Sequence, residues 1–538
     1  MAYNAAMRFT VLLVLILSTS AASAQDSFSK TLKDYQYYVL RPPFRWKGHA
    51  WLELAKSQDE RAFQYLAKDY TKPPDPKEQV RYLIASAAGM HLVRNFEGDP
   101  FLAWSFQQNK SDDAWLRYRA LWAAGRNEKM DIVLERARTE KDIWLRAAAI
   151  EAAAAWKDAA LLDLLRHIHK TLPKKGIERT VAIESMAAVL LGLQARTDDA
   201  EFQAVATPII QLIDDPKVEA RSKLVLIRYL AKLFRSDSRA RESGPWINQM
   251  KAGVMETKSD HGYDTTFFSL RASGDRIAYV IDMSDSMLTP LSGAVTKRGG
   301  VTGPGKGKEA EEPKEPQRVS DDDIPWHKVK NRFDVAREYI KLSLSKMKPN
   351  KSFTIVGFGT AAEFIGATGF LPATPANVKA AIKALDAIRP GVPIEDRPHG
   401  TLMGYTNLHG GILLAYRAYP KKVMNVGEYI SEVGMMEGAD TLFILSDGDP
   451  TYDNWPEVDI HHPGVIVGDP ETRTTRERQD NIVYYGPYFQ WDLILDDVQR
   501  MNLFRRCEIH CIGVGEAQMN QLKKLADIGF GETQQVGL

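Results

Sequence analysis

Two kinds of apolar spacing divide the chain. From about Gly48 to residue 235 the sequence is rich in Ala, Leu and Arg, with apolar positions at helical intervals. Beyond about residue 271 the pattern changes to short, wholly apolar runs alternating with amphipathic stretches. The runs are Ile277–Ile281, Ser352–Phe358, Thr441–Leu445 and Cys507–Val514, with a last short one near Thr533–Val536. Between them, Phe333, Ala336, Ile340, Leu344 and Met347 have helical spacing, and Ala376–Ile388, Gly411–Tyr416, Trp491–Leu503 and Met519–Ile528 read as helices. Strands apolar at every position are buried on both faces. Alternation with helices therefore predicts an α/β, doubly wound, mostly parallel sheet. In such sheets ligands bind outside the carboxyl ends of the strands.

The helical half repeats itself. Asp113-Ala114-Trp115-Leu116-Arg117 is echoed by Asp142-Ile143-Trp144-Leu145-Arg146, and each leads into an Ala-rich apolar helix. Weaker echoes fall at Arg81, Arg179 and Arg221, so the arginines are spaced by 36, 29, 33 and 42 residues. That irregular period resembles HEAT-type repeats, in which each helix pair covers the apolar face left by the one before; an ordinary irregular bundle is the alternative. The repeated Arg is expected to bond carboxylates of neighbouring repeats, and Trp115 and Trp144 to serve core or inter-repeat packing. The expected organisation is an irregular lead-in over 25–47, a helical repeat domain over 48–235 and a linker over 236–270. An α/β domain follows over 271–538. Phe267 and Phe268 of the linker are expected on the edge of the following sheet. Two insertions interrupt the α/β domain. Residues 291–323 are rich in Gly, Pro, Lys and Glu, bury little and are expected to be disordered; residues 449–488 carry several prolines and aromatics.

The first residues add an address. Arg8, the apolar core Val11–Leu17 and Ala22-Ser23-Ala24 read as a signal peptide over 1–24, with Gln25 starting the mature chain. The core is too short for the ~20 residues of a membrane span, and no later stretch reaches that length. The expected location is outside the cytoplasm, in a periplasm or cell envelope. With Lys+Arg 70 against Asp+Glu 69, a nucleic-acid binder driven by a large basic surface is disfavoured. The only cysteines, Cys507 and Cys511, lie roughly 13 Å apart along an extended run. A disulfide needs Cα atoms within about 7 Å, so both read as buried small hydrophobes. So few cysteines in an exported chain of this length suit a bacterial envelope.

The chemistry gathers at strand ends. Asp282-Met283-Ser284-Asp285-Ser286 follows the first apolar run and offers a carboxylate and two hydroxyls at alternate positions, hard oxygen donors of the kind Mg²⁺ prefers. Thr406 lies in the later loop Gly404–Leu408, and Asp447 in Ser446-Asp447-Gly448 after another apolar run. Together these resemble the von Willebrand factor type A (VWA) domain, a Rossmann-like fold, and its metal-ion-dependent adhesion site. The pattern is Asp-x-Ser-x-Ser, then a distant Thr, then a distant Asp before Gly. The resemblance covers about the last half of the chain. It implies that Asp282, Ser284, Ser286, Thr406 and Asp447 hold Mg²⁺ or Mn²⁺, with one coordination position left for an acidic side chain of a partner protein. The expected function is therefore non-enzymatic protein–protein interaction. A Mg²⁺-dependent hydrolase is the competing reading, weakened by the lack of a general base and of a second set of metal carboxylates. A structural module with a vacant site is the third. Asp285 stands where many relatives have Gly; it reads as a solvated loop residue, a further support for the metal, or a repulsion against an acidic partner. His461-His462 lacks metal-ligand spacing.

Overall fold

The computed structural model describes residues 28–39, 44–57, 59–74, 78–90, 100–253, 265–290, 324–390, 404–424, 430–453, 458–461, 466–468, 475–477, 482–485, 488 and 490–536. The expected signal peptide, the insertion over 291–323 and part of that over 449–488 lie outside the described residues.

The first half is helical: α1 (28–39), α2 (Phe44–Lys56), α3 (Glu60–Thr71), α4 (Glu78–Met90), α5 (Pro100–Ser105), α6 (Ala114–Arg126), α7 (Met130–Thr139), α8 (Ile143–Ala154), α9 (Leu161–Lys170), α10 (Ile177–Gly192), α11 (Ala200–Ile210), α12 (Ala220–Phe234) and α13 (Ser243–Ala252). The stretch expected as an irregular lead-in is thus mostly helix. Its side chains are anchored: Phe28 and Val39 are buried, and Tyr35 Oη donates at 2.6 Å to the buried Asp69 carboxylate, which Trp51 Nε1 of α2 also reaches at 2.8 Å. The helices α2, α4, α6, α8, α10 and α12 pack each on the next in one row, and α3, α5, α7, α9 and α11 form a second row against it. Close approach within the first row follows from small side chains; Ala147, Ala148, Ala149, Ala152 and Ala153 of α8 are all buried.

The repeated arginines bond carboxylates between helices. Arg81 meets Asp113 at 2.9 Å, Arg179 meets Asp215 at 2.9 Å, Arg117 pairs with Glu140, and Arg221 lies 3.7 Å from Glu184. Arg146 departs from the pattern: among the described residues it pairs with no carboxylate, and its bond is to the Glu140 carbonyl at 3.4 Å. Trp115 is buried and donates to Ser86 Oγ at 2.8 Å.

The second half is α/β. A hairpin of β1 (Thr265–Phe267) and β2 (Leu270–Ala272) precedes β3 (Arg276–Asp282), α14 (Arg332–Ser345), β4 (Ser352–Phe358), β5 (Ala362–Phe364), β6 (Leu371–Pro372), α15 (Pro375–Ala387), α16 (Leu408–Arg417), β7 (Ala418–Tyr419), β8 (Lys422–Val423), α17 (Glu432–Glu437) and β9 (Thr441–Ser446). Then come β10 (Val458–His461), β11 (Ile466–Gly468), β12 (Thr475–Glu477), β13 (Ile482–Tyr485), α18 (Trp491–Arg505), β14 (Glu508–Val514), α19 (Met519–Ile528) and β15 (Thr533–Val536). The main sheet runs β15-β14-β9-β3-β4-β5, with β6 also on β4. Its strands β15, β14, β9, β3 and β4 are parallel; β5 and β6 run antiparallel to β4. Strands β10 and β13 pair antiparallel, as do β11 and β12, giving regular structure to part of the second expected insertion.

Side chains of the central strands alternate between two cores, as period-2 geometry requires. Ile277, Tyr279 and Ile281 face a core completed by α14, α15 and the β1–β2 hairpin. Ala278 and Val280 face a core completed by α16 and α18, which is continuous with the core of the helical array. Phe267 and Phe268 are not at the sheet edge, where the sequence put them. The hairpin folds over a sheet face, so Phe267 meets Tyr279 and Phe443 edge-on and Phe268 stacks on Tyr339 of α14 at 3.7 Å. Cys507 and Cys511 are both buried and free.

The array and the α/β region share an extensive charged and aromatic contact. Trp144 packs on Phe504 and Tyr229 on Phe530. The Arg506 guanidinium is buried between Glu151, Glu184 and the Tyr229 hydroxyl, donating to the last at 2.7 Å. Asp440, at the start of β9, binds Arg276 at 2.8 Å and lies 3.5 Å from Arg221 of α12. The array thus grips α18 and the amino ends of the strands.

Candidate functional site

The carboxyl ends of β3 and β9 lie side by side, since Ile281 is in register with Leu445. Asp282 ends β3 and Asp447 follows β9, so topology alone brings together two carboxylates 165 residues apart in sequence. Past Asp282 the chain turns into a short 3-10 helix, Asp285–Leu288, which carries Ser286 back beneath Asp447.

The side chains form one chain of short bonds. Asp282 Oδ1 accepts from the Ser284 amide at 2.9 Å and lies 2.6 Å from Ser284 Oγ. Ser284 Oγ is 3.0 Å from Ser286 Oγ, and Ser286 Oγ is 2.7 Å from Asp447 Oδ1. On the outer sides, Ser446 Oγ donates to Asp282 Oδ2 at 2.7 Å, and Arg332 Nη1 donates to Asp447 Oδ2 at 2.7 Å. Asp282 and Ser284 are fully buried, and Asp447 nearly so.

Thr406 bonds through its main chain to Thr451, outside this cluster. Its amide donates to Thr451 Oγ1 at 3.0 Å, and its carbonyl accepts from the Thr451 amide at 3.0 Å. The Asp285 amide donates to the Gly404 carbonyl at 3.3 Å, tying the Thr406 loop to the first loop. No hydrogen bond joins the Thr406 hydroxyl to the other four residues. Asn407 caps α16 by accepting from the Gly410 amide at 2.8 Å. Gly411 sets the helix close to the sheet; a Cβ there would meet the Phe358 ring at 2.8 Å. Asp449 is engaged elsewhere, accepting from Trp491 Nε1 at 3.2 Å and Gln518 Nε2 at 2.7 Å.

Proton counting exposes an unmet demand. The run Asp282–Ser284–Ser286–Asp447 has three oxygen–oxygen contacts, each needing a hydrogen. The two hydroxyls supply one each. With both carboxylates ionised, each hydroxyl gives its hydrogen to its own carboxylate, and the serine oxygens then face each other lone pair to lone pair. Either a proton on Asp282 or a cation relieves this. Burial, and next the Asp447 charge, push the Asp282 carboxyl up to about 7, against the opposing hydrogen bonds from Ser284 and Ser446. The donor set is oxygen throughout, hydroxyl-rich and flanked by two acids, and so fits a hard divalent ion such as Mg²⁺. Among the described residues no group of three or more His, Cys, Asp or Glu side chains is placed to hold a metal ion. His461 lies in β10 and His462 outside the described residues. Ser446, Thr451 and Arg332 escaped the sequence reading. Adjacency to Asp447 at a strand end was a usable signal for Ser446; nothing local marks Arg332.

No protein-family model matches the sequence, and no curated protein shows significant similarity to it.

Proposed function

We propose that this chain is an exported, non-enzymatic interaction protein built from HEAT-like repeats and a VWA-type domain. In this reading Asp282, Ser284, Ser286, Thr406 and Asp447 hold Mg²⁺, and an acidic side chain of a partner protein completes the coordination. The observation that carries it is the hydrogen deficit between Ser284 and Ser286. A cation there turns opposed lone pairs into ligands and offsets the charge of two buried carboxylates. Three of the five ligands in this reading are neutral hydroxyls, and the coordination position left open on the ion suits an incoming carboxylate oxygen. Arg332 contributes by occupying the outer oxygen of Asp447, holding that carboxylate with its other oxygen toward Ser286. The site sits on the sheet edge opposite the one gripped by the array, which suits the array to the role of scaffold.

The test is calorimetric titration of Mg²⁺ and Mn²⁺ into the chelator-treated protein, followed by affinity capture from envelope extract with and without the ion. Wild type should bind one ion and retain partners only in its presence, and Asp282→Ala should lose both. Absence of ion binding by wild type would refute the metal reading. Magnesium-dependent turnover of a phosphoester, lost in Asp282→Ala, would replace it with a hydrolase.

A further inference from the structure

The break in the arginine ladder coincides with a cavity. Helices α7, α8, α9 and α10 enclose about 220 Å³ beside Arg146. Ile150, Ile168 and Val181 form its apolar wall. Arg138, Arg146 and His167 stand around it, with Glu178 as the one lining carboxylate. None of the three basic side chains pairs with a carboxylate among the described residues. Glu178 lies 32 residues beyond Arg146, as Asp113 lies 32 beyond Arg81, yet it does not close the pair.

A second observation concerns another residue lining the same space. Ser185 is completely buried, and its hydroxyl has no hydrogen-bond partner. Glu178, Val181, Ala182 and Ser185 all line the cavity and recur at helical spacing, so Ser185 belongs to the face of α10 turned toward it. A buried hydroxyl left without a partner is unfavourable. Basic groups, an apolar wall and a buried polar point are the complement of one kind of ligand.

We infer that this cavity binds a small organic anion with a carboxylate head, a body of a few methylene groups and a hydrogen-bonding atom at its far end. Arg146 and Arg138 take the head, Ile150 and Val181 the body, and Ser185 the far atom. The site is independent of the cation site and of any reading of it.

The experiment is calorimetric titration of the full chain with 6-hydroxyhexanoate, alongside inorganic phosphate and 6-amino-1-hexanol. One equivalent of 6-hydroxyhexanoate should bind, with phosphate at least about tenfold weaker and the amine not binding. Arg146→Gln should weaken binding about tenfold or more, as loss of a charge-assisted bond implies. Ser185→Ala should weaken it several-fold without lowering the melting temperature of the free protein, because alanine removes a group that has no partner. No saturable binding of 6-hydroxyhexanoate would overturn the proposal. So would unchanged affinity in both variants, or phosphate binding as tightly as the longer anion.

Discussion

At the scale of single residues, Asp282 carries the sharpest expectation. Its carboxyl, pushed up to about 7 in the folded chain, would titrate near 3.9 when unfolded. The folded state therefore holds this proton more tightly. The group's contribution to stability is complete below about pH 4 and is lost as pH rises through 7, at about 1.4 kcal/mol per unit in between. Asn at this position cannot ionise. In chelator, urea unfolding should show Asp282→Asn gaining on wild type by that slope from about pH 4 to 7. A difference that stays flat would mean Asp282 ionises normally in the metal-free fold. Ser446 follows from the same geometry, since its hydroxyl is the outer partner of Asp282. Its place one residue before Asp447 was readable; its contact was not, because only the pairing of β9 with β3 puts it there.

At the scale of elements, α18 is held by its end. Arg506 closes the helix in a left-handed conformation at φ 47°, and its guanidinium reaches into the array to Glu151 and Glu184. Burial raises both of these carboxyls above the ordinary range, and Arg506 opposes that rise. Arg506→Ala strands the buried Glu151 and leaves Glu184 with Arg221 and Ser222 alone, and should cost roughly 3–5 kcal/mol by urea unfolding. Glu151→Gln in the same background should recover part of it. A loss under about 1 kcal/mol would show that solvent already satisfies these acids.

At the scale of the whole molecule, the apolar core runs unbroken from the array into one face of the sheet. Two regions that share a core cannot melt independently. Calorimetry on the intact chain should give one cooperative transition; two well-separated ones would show that the shared contact contributes little. Among the described residues no helix is long and apolar enough to cross a membrane.

Local periodicity determined most of the elements. Buried strands and amphipathic helices announce themselves within a dozen residues, so β4, α19 and β15 match their predicted spans residue for residue. The helical row and its arginines were legible for the same reason, because a repeat writes its packing rule several times over. Contacts between distant segments were not. Nothing in the local pattern says that Arg332 reaches Asp447, that Phe267 lies on a sheet face, or that Arg146 lacks the carboxylate its counterparts have. Those depend on which surfaces the folded chain brings together, and hydrophobic spacing encodes burial without naming the neighbour that provides it.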